Sequence, residues 1–255
     1  MPESELQKIA NPKMKALFLV NPTNPSAVSL SAHTVRRIRA IVHRFNPHLI
    51  IIADNVYAPF VNEFNSLFDA LPRNTIGVYS FSKYFGVTGW RLGAITMHKS
   101  NIIDSILLKD APQEVHNRYT MVNINPNKIK FIDRLLIDSR QVAEAHTAGL
   151  STPQQTIMCL FAVHDLLDKE RFYSDQLKGI LQDRMDELLL PISYELEDSD
   201  LNSNYYIVIN LIKTVNRLVG GTDFGDYLYN NRDPLEFLIR LAKDYAIVLL
   251  PAVGL

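Results

Sequence analysis

Two short apolar runs separated by one amphipathic segment constrain the fold more than any other feature of the sequence. The runs at Met14–Val20 and His48–Asp54 are mainly apolar, as expected of strands that are buried on both faces. Between them, residues 35–45 carry apolar side chains at helical spacing, and Asn46-Pro47 ends that segment. A strand, a helix and a strand within about 40 residues form a βαβ unit, which requires a parallel sheet.

A strand, a loop and another strand are predicted in residues 76–97. Serines alternate with aromatic residues up to Lys83, which lies where the first of these strands ends, and Arg91 opens the next apolar run. Lysine side chains are rarely buried unless they are paired or reactive. An amine in this position suits an imine with an aldehyde cofactor, while the serines and the arginine suit a phosphate on that cofactor.

The rest of the chain is predicted to be mainly helical. Ser29 or Ser31 suits the N-cap of the helix between the two apolar runs. Further helices are predicted at 101–108, at 129–142, at 152–168, before Pro191, at Asp223–Tyr229 and at Asp233–Tyr245. Two further strands are predicted at Tyr205–Leu211 and Ala246–Leu250. Residues 110–127 are expected to be irregular. We therefore predict an α/β fold: a mostly parallel sheet flanked by helices in residues 1–170, with a smaller α+β domain in residues 171–255.

Composition excludes several classes of protein. With 255 residues, 47% of them apolar, and a net charge of −1, the chain suits a globular protein and gives no sign of a nucleic-acid partner. No apolar run is long enough for a membrane helix, and the N-terminus does not resemble a secretory signal. The single cysteine, Cys159, is predicted to pack in the core, and a cytoplasmic location is expected. The seven histidines show no metal-ligand spacing, although His146 borders a polar loop.

Polar residues collect at the carboxyl ends of three predicted strands, where ligands bind in parallel α/β sheets. They are Asn21, Asp54, Tyr57, Ser80, Ser82 and Lys83, with Arg91 just beyond. Lys83 is the candidate nucleophile, because desolvation lowers the pKa of an amine. Asp54 is placed to face a pyridine nitrogen, and Tyr57 with Asn21 suits the phenolic oxygen of the same ring. The serines and the arginine suit its phosphate.

Simpler roles remain open for the same residues. Asp54 fits a turn or a helix N-cap, Tyr57 fits packing, and Asn21 fits an Asn-Pro turn. Either serine fits a local backbone hydrogen bond, and Arg91 beside Trp90 fits a surface stacking pair. The convergence of all seven residues on one edge of the sheet favours the cofactor interpretation.

A family resemblance rests on four motifs: Asn21-Pro-Thr-Asn-Pro25, Asp54-x-x-Tyr57, Ser80-Phe-Ser-Lys83 and Gly89-Trp-Arg-Leu-Gly93. Together they resemble the class I and II pyridoxal-phosphate aminotransferases of fold type I. The resemblance implies that Lys83 holds pyridoxal 5'-phosphate as an imine and that Asp54 pairs with the ring nitrogen. It also implies that the asparagine and the tyrosine bind the phenolic oxygen, and that the first serine and the arginine bind the phosphate.

A narrower resemblance is to the aspartate 4-decarboxylase branch of that family. It rests on residues 68–75, 78–93 and 131–134 and on the run from Asp138 to Gln155. Enzymes of this branch remove the β-carboxyl group of L-aspartate to give L-alanine, with aspartate transamination as a side activity. The resemblance implies a small amino-acid or 2-oxo-acid substrate and a homo-oligomer, a dimer or larger.

The resemblance also implies a partial version of the fold. Members of the family are longer, mainly on the N-terminal side, where a phosphate-binding loop and the aromatic side chain that stacks on the cofactor lie. A catalytically silent truncated chain is therefore the alternative to an active decarboxylase. A general class I and II aminotransferase is the third interpretation.

Overall fold

The computed structural model describes residues 1–143, 149–194, 199–221, 223–231 and 233–251 of the chain. Its strands form one four-stranded sheet in the order β1-β2-β3-β4. The strands are Ala16–Val20 (β1), Ile50–Asp54 (β2), Thr75–Ser80 (β3) and Gly93–Met97 (β4). The first three are parallel, and β4 runs antiparallel to β3. The predicted mostly parallel sheet is therefore confirmed.

Helices make up most of the remaining described chain. In chain order they are Glu3–Lys8 (α1), Ala32–Phe45 (α2), Leu67–Ala70 (α3), Phe81–Tyr84 (α4), Ile102–Lys109 (α5), Gln113–Asn117 (α6), Phe131–Ala143 (α7), Thr152–Leu167 (α8), Phe172–Leu189 (α9), Leu211–Leu218 (α10), Phe224–Asn231 (α11) and Pro234–Tyr245 (α12). Single 3₁₀ turns lie at Ala58–Phe60, Thr88–Trp90, Pro126–Lys128 and Leu190–Ile192. Every helix predicted from the sequence is present.

The predicted βαβ unit consists of β1, α2 and β2. The Ser31 hydroxyl accepts the backbone N–H of Thr34 (3.2 Å), so Ser31 and not Ser29 is the N-cap of α2. The helix then packs on one face of the sheet through a core in which Ile38 and Ile51 are fully buried. Burial of such a side chain stabilises the fold by about 2 kcal/mol. This core holds β1 and β2 side by side.

Residues 81–92, between β3 and β4, contain no helix longer than one turn, so they do not form the helical crossover that usually joins parallel strands. They form the single helical turn α4 and a 3₁₀ turn, and β4 then returns beside β3 with Ser80 paired to Gly93. Lys83 lies within α4. The antiparallel return therefore keeps the lysine next to the end of β3.

Two predicted strands are wrong within the described chain. Residues 205–210 are irregular, and α10 begins at Leu211 with Asn210 as its N-cap. Ala246 adopts a left-handed backbone (φ 57) that ends α12, and residues 247–250 are irregular. Alternating apolar residues form a strand only where a partner supplies backbone hydrogen bonds, and the described residues supply none there. The division into domains at residues 170 and 171 stays a prediction.

Three further expectations concern single segments. Cys159, predicted to pack in the core, is exposed on α8, and so is much of the apolar surface of that helix, including Leu166 and Leu167. A helix that is apolar around most of its circumference does not reveal from its sequence which face is covered. The segment 110–127, predicted to be irregular, contains α6. His146 lies outside the described residues.

Candidate functional site

The carboxyl ends of β1, β2 and β3 lie side by side, as the sequence predicts. Val20 is level with Asp54, and Asp54 is level with Val78. The N–H of Asn21 donates to the carbonyl of Asp54 (2.8 Å), and the N–H of Asn55 donates to the carbonyl of Val78 (2.9 Å). The residues that follow the three strands therefore meet at one edge of the sheet, where parallel α/β proteins bind ligands.

Lys83 lies one helical turn beyond β3. Ser80 caps this turn, because its hydroxyl accepts the N–H of Ser82 (3.2 Å). The Lys83 side chain is half-buried, and its Nζ lies 5.7 Å from the centre of the Tyr205 ring. No carboxylate of the described chain forms an ion pair with it. The amine is therefore held against an aromatic face without a carboxylate partner, which leaves it available to a carbonyl carbon.

The side chains predicted to bind phosphate lie along the connection between β3 and β4. The Ser80 hydroxyl donates to the hydroxyl oxygen of Ser82 (2.9 Å) and lies 3.4 Å from the carbonyl oxygen of Leu92. Arg91 is exposed and left-handed (φ 56), and its guanidinium donates to the carbonyl of Thr88 (3.1 Å). The two serines are thus together, whereas the guanidinium is bonded to the adjacent 3₁₀ turn.

Asp54 and Asn21 have structural roles at the strand ends. The Oδ1 of Asp54 accepts the N–H of Val56 (3.1 Å), which closes a turn, while its Oδ2 accepts no hydrogen bond from the described residues. Asn21 is buried, and its side-chain oxygen accepts the Ser29 hydroxyl (3.1 Å) and the N–H of Leu30 (2.8 Å). The turn interpretations are therefore present for both residues, and Asp54 keeps one carboxylate oxygen for another partner.

Tyr57 is 4% exposed and precedes the 3₁₀ turn that follows β2. Its hydroxyl oxygen lies 2.7 Å from that of Tyr206, and its ring centre lies 5.0 Å from that of Tyr205. Burial, reinforced by the hydrogen bond to Tyr206, raises the pKa of Tyr57 above the usual tyrosine value. The Tyr57 hydroxyl therefore loses its proton only at a more alkaline pH than an exposed tyrosine.

Tyr205 and Tyr206 are the site residues that sequence reasoning missed. They lie in a segment predicted to be a strand, where alternation would have separated their side chains to opposite faces. In the structure both rings contact Tyr57, with centres 5.0 and 5.4 Å away. Two adjacent tyrosines directly after Asn202-Ser-Asn204 are the signal that points to them.

Aromatic rings form an apolar wall next to the lysine. The Tyr84 ring lies 5.9 Å from that of Phe60 and 5.3 Å from that of Tyr173. The Tyr173 hydroxyl donates to the carbonyl of Tyr84 (3.0 Å), which fastens α9 to the turn that carries Lys83. These contacts rigidify the lysine turn, because each ring is held by two neighbours.

The part of the chain that the structure describes contains no group of three or more His, Cys, Asp or Glu side chains suited to a metal ion. No helix in the same residues is long and apolar enough to cross a membrane.

A family model for aminotransferases of class I and II matches residues 3–251. The chain belongs to this family. Class I and II aminotransferases depend on pyridoxal phosphate. The strand-end placement of the lysine motif in this chain agrees with the family resemblance, whereas the roles of its individual residues stay predictions.

Two curated aminotransferases are similar in sequence to this chain. The "Bifunctional aspartate aminotransferase and L-aspartate beta-decarboxylase" of a Pseudomonas species is 42% identical over 255 residues, which are 99% of this chain and 48% of that protein. An aspartate aminotransferase of Pyrococcus abyssi is 37% identical over 99 residues, which are 36% of this chain and 24% of that protein. The chain thus spans at most about half the length of these relatives.

Solved structures of aminotransferases share the fold. An aspartate aminotransferase of Thermotoga maritima has a TM-score of 0.59 at 17% identity, and the match covers 98% of this chain and 51% of the Thermotoga chain. The N-succinyldiaminopimelate aminotransferase of Mycobacterium tuberculosis has a TM-score of 0.56 at 20% identity, and the match covers 99% of this chain and 54% of the Mycobacterium chain. The predicted α/β fold, a mostly parallel sheet flanked by helices, is therefore confirmed.

Proposed function

We propose that this chain is the lysine-bearing part of a pyridoxal-phosphate enzyme that acts on L-aspartate. Its reaction is β-decarboxylation to L-alanine and CO₂, with aspartate transamination as a side activity. The proposal rests on the half-buried Lys83 amine at the end of β3, in a chain 42% identical to the bifunctional Pseudomonas protein. A general aminotransferase of class I and II is the coarser alternative.

The strand-end side chains fit pyridoxal 5'-phosphate. Lys83 offers an amine without a carboxylate partner for the aldehyde carbon, and the free Oδ2 of Asp54 suits the protonated ring nitrogen. Tyr57, whose hydroxyl keeps its proton, suits the phenolic oxygen together with the Asn21 amide. The phosphate is assigned to three side chains: Ser80, Ser82 and Arg91.

Binding a phosphate requires Arg91 to exchange one partner. Its guanidinium donates to the Thr88 carbonyl, and the side chain is exposed, so the exchange meets no steric barrier. A phosphate carries a negative charge and accepts two parallel hydrogen bonds from a guanidinium, whereas a carbonyl is neutral and accepts one here. The phosphate is therefore the better acceptor for Arg91.

When bound, pyridoxal phosphate withdraws electrons from the α-carbon of an amino-acid substrate. Lys83 Nζ would accept the α-proton and return it, as a general base and then a general acid. The electron pair left on the β-carbon when the carboxylate departs as CO₂ would take up one proton from solvent. Asp54 holds its charge against the ring nitrogen. The buried rings of Tyr57, Phe60 and Tyr84 pack together beside the lysine turn. Loss of CO₂ needs no water, whereas transamination does, so a site that excludes water would favour decarboxylation.

A catalytically silent chain is the alternative from a different class. It is favoured by large apolar side chains on exposed surface, such as Phe18 on β1 (65% exposed) and Ile95 on β4 (53% exposed). Exposed apolar strand edges promote association more readily than catalysis. In this alternative the 255-residue chain by itself binds no cofactor productively.

Three coarser assignments belong to the same proposal. The substrate is a small amino acid or 2-oxo acid. The assembly is a homo-oligomer, a dimer or larger. The location is cytoplasmic, for which the single cysteine is the argument.

Cofactor attachment to Lys83 tests the proposal. The purified chain is mixed with pyridoxal phosphate, reduced with borohydride, digested and analysed by mass spectrometry. We expect the phosphopyridoxyl group on Lys83 in the wild type and its loss in Lys83→Ala. Lys109→Ala is the control, because Lys109 is an exposed lysine in the last turn of α5. Labelling spread over many lysines, or retained after Lys83→Ala, would refute the enzyme proposal in favour of the silent chain.

Product analysis then separates the two activities. Aspartate is supplied to the loaded chain, and alanine with CO₂ is measured against oxaloacetate. We expect alanine in excess. Oxaloacetate without alanine would replace the decarboxylase with a general aminotransferase.

A further inference from the structure

The segment Asp200–Tyr206, which we call the tyrosine arm, is fastened to the loop that follows β1. The N–H of Ser203 donates to the carbonyl of Ala27 (2.8 Å), and the N–H of Ser29 donates to the carbonyl of Leu201 (2.8 Å). Ser203 is 2% exposed. Two well-formed backbone hydrogen bonds in a buried setting fix the position of the arm on this side.

The tyrosine arm is also fastened to the loop that follows β2. The N–H groups of Asn62 and Glu63 both donate to the carbonyl of Asp200 (3.1 and 3.0 Å). Lys178 of α9 donates to the side-chain oxygen of Asn62 (2.9 Å) and so holds this loop from the other side. The arm therefore bridges two of the three strand ends that form the candidate site.

The end of the arm delivers two tyrosines to the predicted cofactor-binding residues. Tyr205 packs between Phe60 and Tyr57, each with its ring centre 5.0 Å away, and faces Lys83 Nζ at 5.7 Å. Tyr206 forms the hydrogen bond to the Tyr57 hydroxyl. Both contacts depend on the backbone attachments of the arm.

The hydrogen bond between Tyr57 and Tyr206 has two possible directions. Each hydroxyl carries one proton, so a Tyr57 that donates to Tyr206 has none left for a ligand. If Tyr206 donates instead, Tyr57 accepts that bond and its own proton is free. An acceptor oxygen placed at Tyr57 favours the second direction, because successive hydrogen bonds polarise one another.

We propose that Tyr206 is a positioning residue of the cofactor site: it donates its hydroxyl proton to Tyr57, orients that hydroxyl and makes it a stronger donor to the phenolic oxygen of pyridoxal phosphate. This inference rests on the proposed function. Nothing in the motifs around Lys83 or Asp54 includes Tyr206, which comes from a distant part of the chain. Tyr206 contacts Tyr57 and does not itself take part in the chemistry.

The test compares the wild type, Tyr206→Phe, Tyr57→Phe and the double variant. The measured quantities are the dissociation constant of pyridoxal phosphate and the pH midpoint of the absorption change of the bound cofactor. We expect Tyr206→Phe to weaken binding by about two- to threefold, because it removes the polarisation of the bond from Tyr57 to the cofactor and not that bond itself. We expect it to raise the pH midpoint by about half a unit, because a weaker donor stabilises the charged phenolic oxygen less.

The double variant distinguishes positioning from a general loss of structure. If Tyr206 acts through Tyr57, Tyr206→Phe has no further effect once Tyr57 is phenylalanine. Tyr194→Phe is the matched control, because it removes a hydroxyl that donates to the Val208 carbonyl (3.3 Å), and it should leave both quantities unchanged. Thermal unfolding confirms that all variants fold.

Three results would overturn the inference. Unchanged binding and midpoint in Tyr206→Phe would do so while leaving the proposed function intact. Additive effects of Tyr206→Phe and Tyr57→Phe would show that Tyr206 acts by another route. If the wild type forms no Lys83 adduct, the proposed function fails first, and the positioning role fails with it.

Discussion

The two oxygens of the Asp54 carboxylate have different surroundings, and this separates two roles of one residue. Oδ1 accepts the N–H of Val56, and Oδ2 is free among the described residues. Asp54→Asn keeps an acceptor for the turn but removes the charge, whereas Asp54→Ala removes both. We expect both variants to form the Lys83 adduct and to lose most turnover, because neither keeps the ring nitrogen protonated. Mass spectrometry and alanine production measure the two effects.

Stability distinguishes these two variants. Asp54→Ala should lower the free energy of unfolding by about 1 kcal/mol, the value of one hydrogen bond, and Asp54→Asn should lower it by less. Urea denaturation of the chain without cofactor measures this. Full turnover in either variant would contradict the ring-nitrogen role, whatever the stability.

At the scale of the element, α2 depends on its N-cap. Ser31→Ala removes the acceptor for the Thr34 N–H and should lower the free energy of unfolding by about 1 kcal/mol. Ser31→Asp keeps an acceptor and places a negative charge at the helix N-terminus, so it should cost little. Urea denaturation compares the two. Equal losses for both variants would show that the cap does not stabilise α2.

Local chemistry is what made the βαβ unit predictable. The cap at Ser31, the stop at Asn46-Pro47 and the apolar runs of β1 and β2 each specify an element within a few neighbouring residues. Consecutive strands of a βαβ unit usually lie side by side in the sheet. The close approach of Asn21 to Asp54 at one edge of the sheet could therefore be predicted as well. The chemical roles of those residues remain predictions.

Contacts between residues far apart in the sequence could not be predicted from local sequence patterns. The hydrogen bond between Tyr57 and Tyr206 joins residues 149 positions apart, and no spacing rule links them. The segment 205–210 alternates like a strand, yet a strand exists only where another chain segment pairs with it. The direction of the Arg91 guanidinium likewise depends on its left-handed backbone, which the residue type alone disfavours.

At the scale of the whole molecule, buried tyrosines make stability depend on alkaline pH. Burial raises the pKa of five tyrosines above the usual value of about 10: Tyr57, Tyr79, Tyr84, Tyr119 and Tyr173. The unfolded chain releases these protons first, so their contribution is complete below pH 10 and is lost as the pH rises toward their folded pKa values. Lys178, whose pKa is lowered by burial, acts in the opposite direction, but it is a single group.

We therefore expect the free energy of unfolding to fall as the pH rises above about 10. Urea denaturation between pH 8 and 11 measures the slope. Tyr79→Phe should make the slope shallower, because it removes one of the five groups and no hydrogen bond of the described residues ends on that hydroxyl. A wild-type slope that stays flat to pH 11, or one that Tyr79→Phe leaves unchanged, would show that burial of these hydroxyls does not control alkaline stability.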